Sequence, residues 1–591
     1  MFRSRDHHDS SGPGREDTSE GSTQPPLVKR SRVTAIAALA AASALALSSC
    51  GYLASLNRGG GSAGSGASPS ASQPSVTTLE GTTSTAFGTD GMAPIGTLAT
   101  PMESAAMGID ADTASDQRWA EIYAQKPQWG PCEDPAYASA ECATVKVPLM
   151  WNAPDQGSID LLISKLATTG TGEYKGSLLI NPGGPGGSGN QIVAEYGSST
   201  GTDALRGSYD YIGFDPRGVK DSSGIVCLDD KQTDEYLSAT FDTDTEDGRL
   251  ASEESFATMI EACKANSGEL LQYLDTWSAA RDMDVIRAVV GSEKLDYLGY
   301  SYGTYLGASY AELYPERTGH IVLDAAVDPS ITGDEMAAGQ AAGFEDSVRA
   351  FVTWCQGQAD GSCPLEGTVD QGVQKIRDFL DQTAQKPLTM SDGRELTGSL
   401  AVTGVLVPMY SSETWPMLAM ALQLAFAGNG DLLGMFADLS NERNSDGSYA
   451  SNGMFAITAV NCLDRLGVID PEWVQTESER LEERYPTFGG MLGGGGISCE
   501  QWPAKPVRVP ASIHASGSST IVVIGTTGDP ATPYPWSEAL AEQLDNSVLL
   551  TFEGYGHTAY GRSGGCIEEA VDNYFINDVT PTDGLTCSPP A

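Results

Sequence analysis

Gly299-Tyr300-Ser301-Tyr302-Gly303 is the segment that most restricts how this chain can fold. It stands between a strand-like "KLDYL" and a helix-like "TYLGASYAELY", so the backbone must pass from strand to helix within the pentapeptide. A turn that tight strains its central residue and leaves no room for side chains two positions before and after it, where the glycines stand. Such a turn presents the Ser301 hydroxyl at the carboxyl edge of a sheet. It also leaves the N–H of Tyr302 available to an anion. A bare G-x-S-x-G arises often by chance; the strand–turn–helix context gives this one its weight. Ser301 is therefore expected to be a nucleophile.

The surrounding runs fit that turn. "CATVKVPLMW" (142–151) and "IDLLISKLA" (159–167) alternate in part and suit an antiparallel edge. "GSLLINPGG" (176–184), "YDYIGFDPRG" (209–218), "HIVLDAA" (320–326), "TIVVIGTTGD" (520–529) and "SVLLTFEGYGH" (547–557) are nearly continuous apolar runs. Helix-like stretches separate them, as expected of parallel strands covered on both faces. In one such stretch, Ser278 to Gly291, Ala280, Met283, Ile286, Val289 and Val290 share a side and Gly291 is the stop. The expected class is α/β, a mostly parallel sheet with helices on both faces. Residues 331–510 break the alternation. They read as a largely helical cap or lid insertion between a first core part, 116–330, and a second, 511–591. A tandem second domain would interrupt the strand order equally well.

Five histidines are available to serve the serine. His7 and His8 precede a signal-like segment and leave with it. His320 begins a strand, and His514 precedes one; both read as surface or packing residues. His557 follows the last strong strand between glycines in "FEGYGHTAYG", where a general base belongs. The acid is expected between serine and histidine in chain order. Asp529, at the tip of "IVVIGTTGD", is favoured because its strand directly precedes the one leading to His557. Asp324, at the end of "IVLD", is the competitor, with hydrogen bonding to loop backbone as its alternative use. "NPGGPGGSG" (181–189) has neither the Lys-Ser/Thr of a phosphate loop nor a dinucleotide fingerprint. Its glycines suit close approach of backbone to a tetrahedral intermediate. An N–H near Gly183 or Gly184 would complete an oxyanion hole with that of Tyr302.

The first part of the chain addresses it elsewhere. Lys29, Arg30 and Arg32 precede an apolar run from Val33 to Leu47, shorter than the roughly 20 residues that span a bilayer. It ends in Leu47-Ser48-Ser49-Cys50, which resembles a bacterial lipobox; the other readings are an ordinary secretory signal and an uncleaved anchor. Residues 1–49 are thus expected to be a signal peptide with a long polar leader. Residues 50–115 then comprise a lipidated Cys50 and a flexible Gly/Ser/Thr-rich tether. Setting Cys50 aside, the eleven cysteines become ten, an even set that reads as disulfides in an exported chain. Connectivity cannot be deduced, though pairing of neighbours would close short loops. No C-x-x-C pair stands among them, and no metal or organic cofactor is expected. With 34 Lys plus Arg against 78 Asp plus Glu, the net charge of −44 excludes nucleic acid as a partner. Membrane association is expected only through the amino-terminal lipid.

From about residue 130 to 587 the chain resembles the secreted tripeptidyl aminopeptidases of actinobacteria, in the proline-iminopeptidase-like branch of the α/β-hydrolases. The segments that carry the likeness are "LLINPGGPGGSG", "YDYIGFDPRGV", "SAARDMDVIRAVVG", "LDYLGYSYGTYLGASYAELYPE", "IVLDAAVDP", "AVNCLDR", "VVIGTTGDPATPYPW" and "YGHTAYGRSGGC". The resemblance implies an α/β-hydrolase fold with a Ser301–His557–Asp529 triad. It also implies a serine exopeptidase that releases short peptides, commonly tripeptides, from the free N-terminus of oligopeptides. Relatives cut single residues, often proline, or act on esters. Where proline iminopeptidases carry a His before the glycine loop, this chain has Asn181-Pro182. In "FDPRG", Asp215 and Arg217 fit the family pattern and are expected to fix the loop after their strand.

An exopeptidase must also bind the substrate ammonium; Glu413, Glu442 and Asp464 are the candidate carboxylates in the insertion. Two other function classes remain open. One is a carboxylesterase or lipase using the same triad, favoured by an all-apolar cleft. The other is a non-catalytic binding or adhesion protein, disfavoured by the intact Ser, Asp, His and glycine loop.

Overall fold

The computed structural model describes residues 119–589, except 243–244, 359–360, 466, 468–469, 493–498 and 507. The signal segment, Cys50 and the tether lie outside the described residues. The main sheet contains β1 (Gly130–Pro131), β2 (Glu141–Pro148), β3 (Ser158–Leu166), β4 (Gly176–Asn181) and β5 (Tyr209–Phe214). It continues with β6 (Leu295–Tyr300), β7 (Thr318–Asp324), β8 (Ile521–Gly528), β9 (Ser547–Tyr555) and β10 (Leu585–Cys587). Their order across the sheet is β1-β2-β3-β5-β4-β6-β7-β8-β9-β10. The pairings β1–β2, β2–β3 and β3–β5 are antiparallel; every later pairing is parallel. This is the α/β-hydrolase arrangement, with the two partly alternating runs forming the antiparallel edge.

The central strands bury both faces, which is why their sequences lack alternation. Leu179, Ile212, Tyr297, Ile321 and Val523 enter one core with Met283, Ile286 and Leu306. Their neighbours Leu178, Tyr211, Leu298, Val322 and Val522 enter the opposite one with Ile567, Val571 and Phe575. Successive strand residues point to opposite faces, so a single apolar run supplies two cores.

Three helices position the site: α1 (Gly189–Ala194), α2 (Thr276–Val289) and α3 (Tyr302–Leu313). α2 covers the expected stretch, and Ala280, Met283 and Ile286 are buried. Arg281, Asp282, Asp284 and Arg287 are buried too, so the helix is enclosed rather than amphipathic. Charge is tolerated there because it is paired. Arg217 grips both oxygens of Asp282 at 2.7 and 2.6 Å, and Asp284 receives Arg287 at 2.7 Å and also Arg317. Arg217 further donates to the carbonyls of Pro148, Leu149 and Tyr273, holding the loop after β5.

Between β7 and β8 the described chain is mostly helical, including α4 (Gly333–Gln356), α5 (Trp415–Phe426) and α6 (Gly453–Asp464). It has its own apolar core around Phe344, Phe351, Leu406, Trp415, Leu418 and Phe436. One small hairpin, Leu388–Thr389 with Glu395–Leu396, interrupts the helices. The disulfides join neighbours in sequence: Cys132–Cys142, Cys227–Cys263, Cys355–Cys363, Cys462–Cys499 and Cys566–Cys587. The last ties the C-terminal helix α7 (Cys566–Asn577) to β10, a strand too short to leave a periodic signal. Among the described residues no helix is long and apolar enough to cross a membrane.

Candidate active site

Ser301 stands between β6 and α3 with φ 56° and ψ −126°, a left-handed conformation unusual for a non-glycine residue. The flanking glycines are sterically required. A Cβ on Gly299 would lie 2.5 Å from the Gly303 carbonyl, and one on Gly303 would lie 2.9 Å from that of Asn181. The Ser301 N–H donates to the Asp324 carbonyl at 2.9 Å, and the Ser301 carbonyl accepts from the Thr304 N–H and hydroxyl at 2.8 and 2.6 Å. The turn is thus held on all sides while Ser301 Oγ is buried without a hydrogen-bond partner.

The glycine-rich loop after β4 presses against this turn. Gly183 has φ +101°, and a Cβ there would lie 2.5 Å from the Tyr300 carbonyl and 2.8 Å from Ser301 Cβ. Its N–H donates to Asn181 Oδ1 at 3.0 Å. The N–H of Gly184 and that of Tyr302, at the first turn of α3, carry no hydrogen bond to another described residue. The loop ends in α1, whose cap Ser188 accepts from Gln191 N and donates to Asp215 at 2.6 Å. Asp215 also accepts from the Asn190 N–H at 3.1 Å, fixing the loop from behind. Burial raises its carboxyl above the usual range, against the hydrogen bonds it accepts from Ser188 and Asn190.

His557 and Asp529 meet at the far end of the sheet. His557 Nδ1 lies 2.9 Å from both Asp529 oxygens, and both side chains are buried. Asp529 also accepts from the N–H groups of Ala531 and Thr532 at 2.9 Å and from the Thr532 hydroxyl at 3.1 Å. With Nδ1 facing a carboxylate, the imidazole carries its proton there and leaves Nε2 basic. Nε2, like Ser301 Oγ, is buried with no partner.

Asp324 connects the two halves of the site. Its carbonyl receives the Ser301 N–H, and its carboxylate receives the N–H of Ala559 at 2.9 Å and of Tyr560 at 2.7 Å. The loops bearing serine and histidine are thus pinned to one residue of β7. Asp324 makes no hydrogen bond with the His557 ring among the described contacts; its carboxylate serves loop backbone. Burial pushes its pKa up to about 6 despite those N–H groups. The other histidines stand apart. His320 lies between Asp296 and Asp578 at 3.1 and 3.0 Å, and His514 is exposed beside Asp545.

The three candidate ammonium carboxylates occupy very different settings. Asp464 is fully enclosed and accepts from Thr276 N–H at 2.9 Å and from the Thr276 hydroxyl, which also meets Tyr302 OH. Burial, with Asp275 nearby, pushes it up to about 7. Its expected place in a substrate cleft is therefore corrected: both oxygens are engaged inside the body, joining α6 to the start of α2. Glu413 is exposed in a short 3-10 turn, Ser412–Thr414, next to the His557 loop. Glu442 has φ 52°, and its Oε2 is buried without a partner. Burial raises its carboxyl, opposed by the Lys220 ammonium and the Ser451 hydroxyl and reinforced by Asp215 and Glu195. The Ala450 N–H donates to its carbonyl at 2.9 Å, and the chain continues to Gly453, which packs on the glycine loop. A Cβ on Gly186 would lie 2.6 Å from the Gly453 carbonyl.

Several contributors left no readable sequence signal: Tyr410, whose carbonyl accepts the His557 N–H at 2.8 Å; Thr532; and Arg562, which donates to the carbonyls of Tyr555, Gly556 and His557. Their roles depend on chain segments that meet only in three dimensions. Among the described residues no group of three or more His, Cys, Asp or Glu side chains is placed to hold a metal ion.

Comparison with known proteins gives a consistent set of likenesses. Residues 176–362 match the family described as alpha/beta hydrolase fold, and residues 485–587 match the one described as TAP-like protein. The chain is 34% identical over 481 residues to serine protease Hip1 of Mycobacterium tuberculosis, covering 78% of this chain and 91% of that protein. It is 34% identical over 484 residues to carboxylesterase B of the same organism, covering 80% and 91%. To the tripeptidyl aminopeptidase of Streptomyces coelicolor it is 30% identical over 457 residues, covering 76% and 83%.

Proposed function

This chain belongs to the TAP-like family of α/β-hydrolases and is a serine peptidase, and we propose that it releases short peptides, tripeptides above all, from the free amino end of oligopeptides. The observation that carries the chemistry is the coincidence of a strained, partnerless Ser301 with a carboxylate-bound His557 whose Nε2 is also partnerless. His557 Nε2 takes the hydroxyl proton as Ser301 Oγ attacks the scissile carbonyl. Asp529 holds the tautomer that makes this possible and stabilises the imidazolium. The tetrahedral oxyanion is received by the N–H groups of Tyr302 and Gly184, because the Gly183 N–H is already given to Asn181. His557 then protonates the leaving amine, and water releases the acyl group by the same steps in reverse.

The helical interval 331–510 is the cap in this reading, and Glu442 is its ammonium receptor. Its Oε2 is buried without a hydrogen-bond partner, an acceptor that a substrate ammonium would satisfy. An extended tripeptide spans about 10 Å, and the segment that carries Glu442 continues to Gly453, which packs on the glycine loop. The test is a set of anilides: Ala-Ala-Pro-anilide with a free amine, the same peptide N-acetylated, a single proline anilide, and a short acyl ester. Acetylation should abolish most turnover. Glu442→Gln should raise KM for the free-amine tripeptide about 10–100-fold, the worth of a buried charge-assisted hydrogen bond. It should leave the ester untouched. Because the Glu442 pKa is raised, wild-type KM should fall as pH rises and Glu442 ionises. It should climb again once the substrate amine loses its proton near pH ~8. A KM indifferent to both the mutation and acetylation would remove the exopeptidase reading.

Ester hydrolysis is the second reading, supported by the equal likeness to carboxylesterase B. Turnover of the ester alone would favour it.

The positive cluster, apolar run and Leu47-Ser48-Ser49-Cys50 support a lipid on Cys50, with the body held outside the membrane by the tether. Cys50→Ser should move the enzyme from the membrane fraction to the soluble one. Unchanged fractionation would count against the lipid anchor.

A further inference from the structure

His557 is gripped from two sides. The body side consists of Arg562 on the carbonyls of residues 555–557 and Asp324 on the N–H groups of Ala559 and Tyr560. The other side belongs to the helical interval. Its Tyr410 carbonyl accepts the His557 N–H at 2.8 Å, and Ser411 forms an antiparallel bridge with Gly556. The Tyr410 ring meets the imidazole edge to face, with centroids 5.5 Å apart and planes at 88°. Tyr410 is itself wedged. Phe344 of α4 lies 5.5 Å behind it, Ser347 donates to the adjoining Met409 carbonyl, and Thr414 ties Pro408 to Ser411. Its hydroxyl is buried with no partner, so the ring contributes shape rather than a hydrogen bond.

We propose that Tyr410 is a positioning residue for His557, which makes the cap an arm of the catalytic base rather than a detachable cover over the cleft. This rests on the serine-hydrolase reading of the site. The argument is geometric. The proton Ser301 gives up must find Nε2 within hydrogen-bond reach, and a misplacement of about 1 Å can cost about 100-fold in rate. Asp529 fixes Nδ1, but a ring held at one nitrogen can still tilt about that contact; the Tyr410 ring closes the tilt and keeps water from the Asp529–His557 pair. Removal of that wall changes the solvation of the imidazolium while Asp529 on Nδ1, the nearby Asp324 carboxylate and Arg562 on the His557 carbonyl remain in place.

The experiment measures acylation by a fluorophosphonate, together with kcat, KM and the pH profile of kcat on both the free-amine anilide and the acyl ester. Tyr410→Ala should lower acylation and kcat about 10–100-fold on both substrates. KM should hold, and the acid limb of the profile should move. Tyr410→Phe should behave as wild type. Tyr410→Leu keeps bulk in the core and should show the alanine phenotype, so the proposal stays testable if the alanine variant does not fold. A folded Tyr410→Ala or Tyr410→Leu enzyme with wild-type acylation and an unmoved acid limb overturns the positioning role. So does a defect confined to KM for the peptide, which would make Tyr410 a substrate contact. Wild-type acylation in His557→Ala would instead overturn the serine-hydrolase reading itself.

Discussion

Ser301→Ala is expected to lower kcat by about five to six powers of ten, the loss seen when the nucleophile of a serine protease is removed alone. It is expected to leave the melting temperature at or slightly above that of the wild type. The two outcomes have one cause. Ser301 Oγ is buried without a partner, so the folded free enzyme loses no hydrogen bond when the hydroxyl goes. The φ of 56° strains alanine as much as serine, so the turn itself is not relieved. A group that contributes nothing to folding yet occupies an enclosed, strained position is retained for its reactivity. Kinetics on the free-amine anilide, fluorophosphonate labelling and calorimetry on the same preparation would check this. Residual activity above about one part in a thousand of wild type would mean that another residue attacks the substrate.

Ser301 was legible because its requirement is local. The glycines two residues away on either side answer a clash that any strand-to-helix turn of this kind creates, and the apolar runs around it record two-faced burial directly. The parallel sheet and its antiparallel edge follow from the same runs. Charge inside α2 was not legible, since Arg217 and Arg317, which compensate it, come from distant loops. Asp464 misled for a related reason. A carboxylate in a helical insertion is a candidate to meet substrate, but here the insertion folds back so that Thr276 engages it. The oxyanion loop was legible as an element and not residue by residue. Glycine content shows that backbone must come close; only the Asn181 contact shows which N–H is already occupied. β10 and Tyr410 left no trace, the one because it is three residues long, the other because its partner lies in a loop across the sheet.

Asp529→Asn should lower kcat about 10⁴-fold at neutral pH with little change in stability, while Asp324→Asn should cost less activity. An amide at 529 can still accept the N–H groups of its own turn, so the loop stands. It cannot hold the Nδ1–H tautomer, because its amino group faces a nitrogen that must donate. At 324 the carboxylate accepts two main-chain N–H groups from the loop beyond His557, and an amide satisfies them less well. The expected result is a fall in kcat through displacement of the loop. The raised pKa of Asp324, about 6, gives the pair a further signature. The folded chain binds this proton more tightly than the unfolded one. This group's contribution to stability is therefore greatest in acid and declines as pH rises from about 4, the unfolded value, through 6. Acid therefore removes the acceptor that anchors the histidine loop without unfolding the protein through this site. Wild-type kcat should fall below pH 6 while the fold survives, and Asp324→Asn, a neutral mimic of the protonated acid, should show at neutral pH part of the loss that the wild type shows in acid. A normal kcat in Asp324→Asn would remove Asp324 from the acid limb; a normal kcat in Asp529→Asn would return the acid of the triad to Asp324.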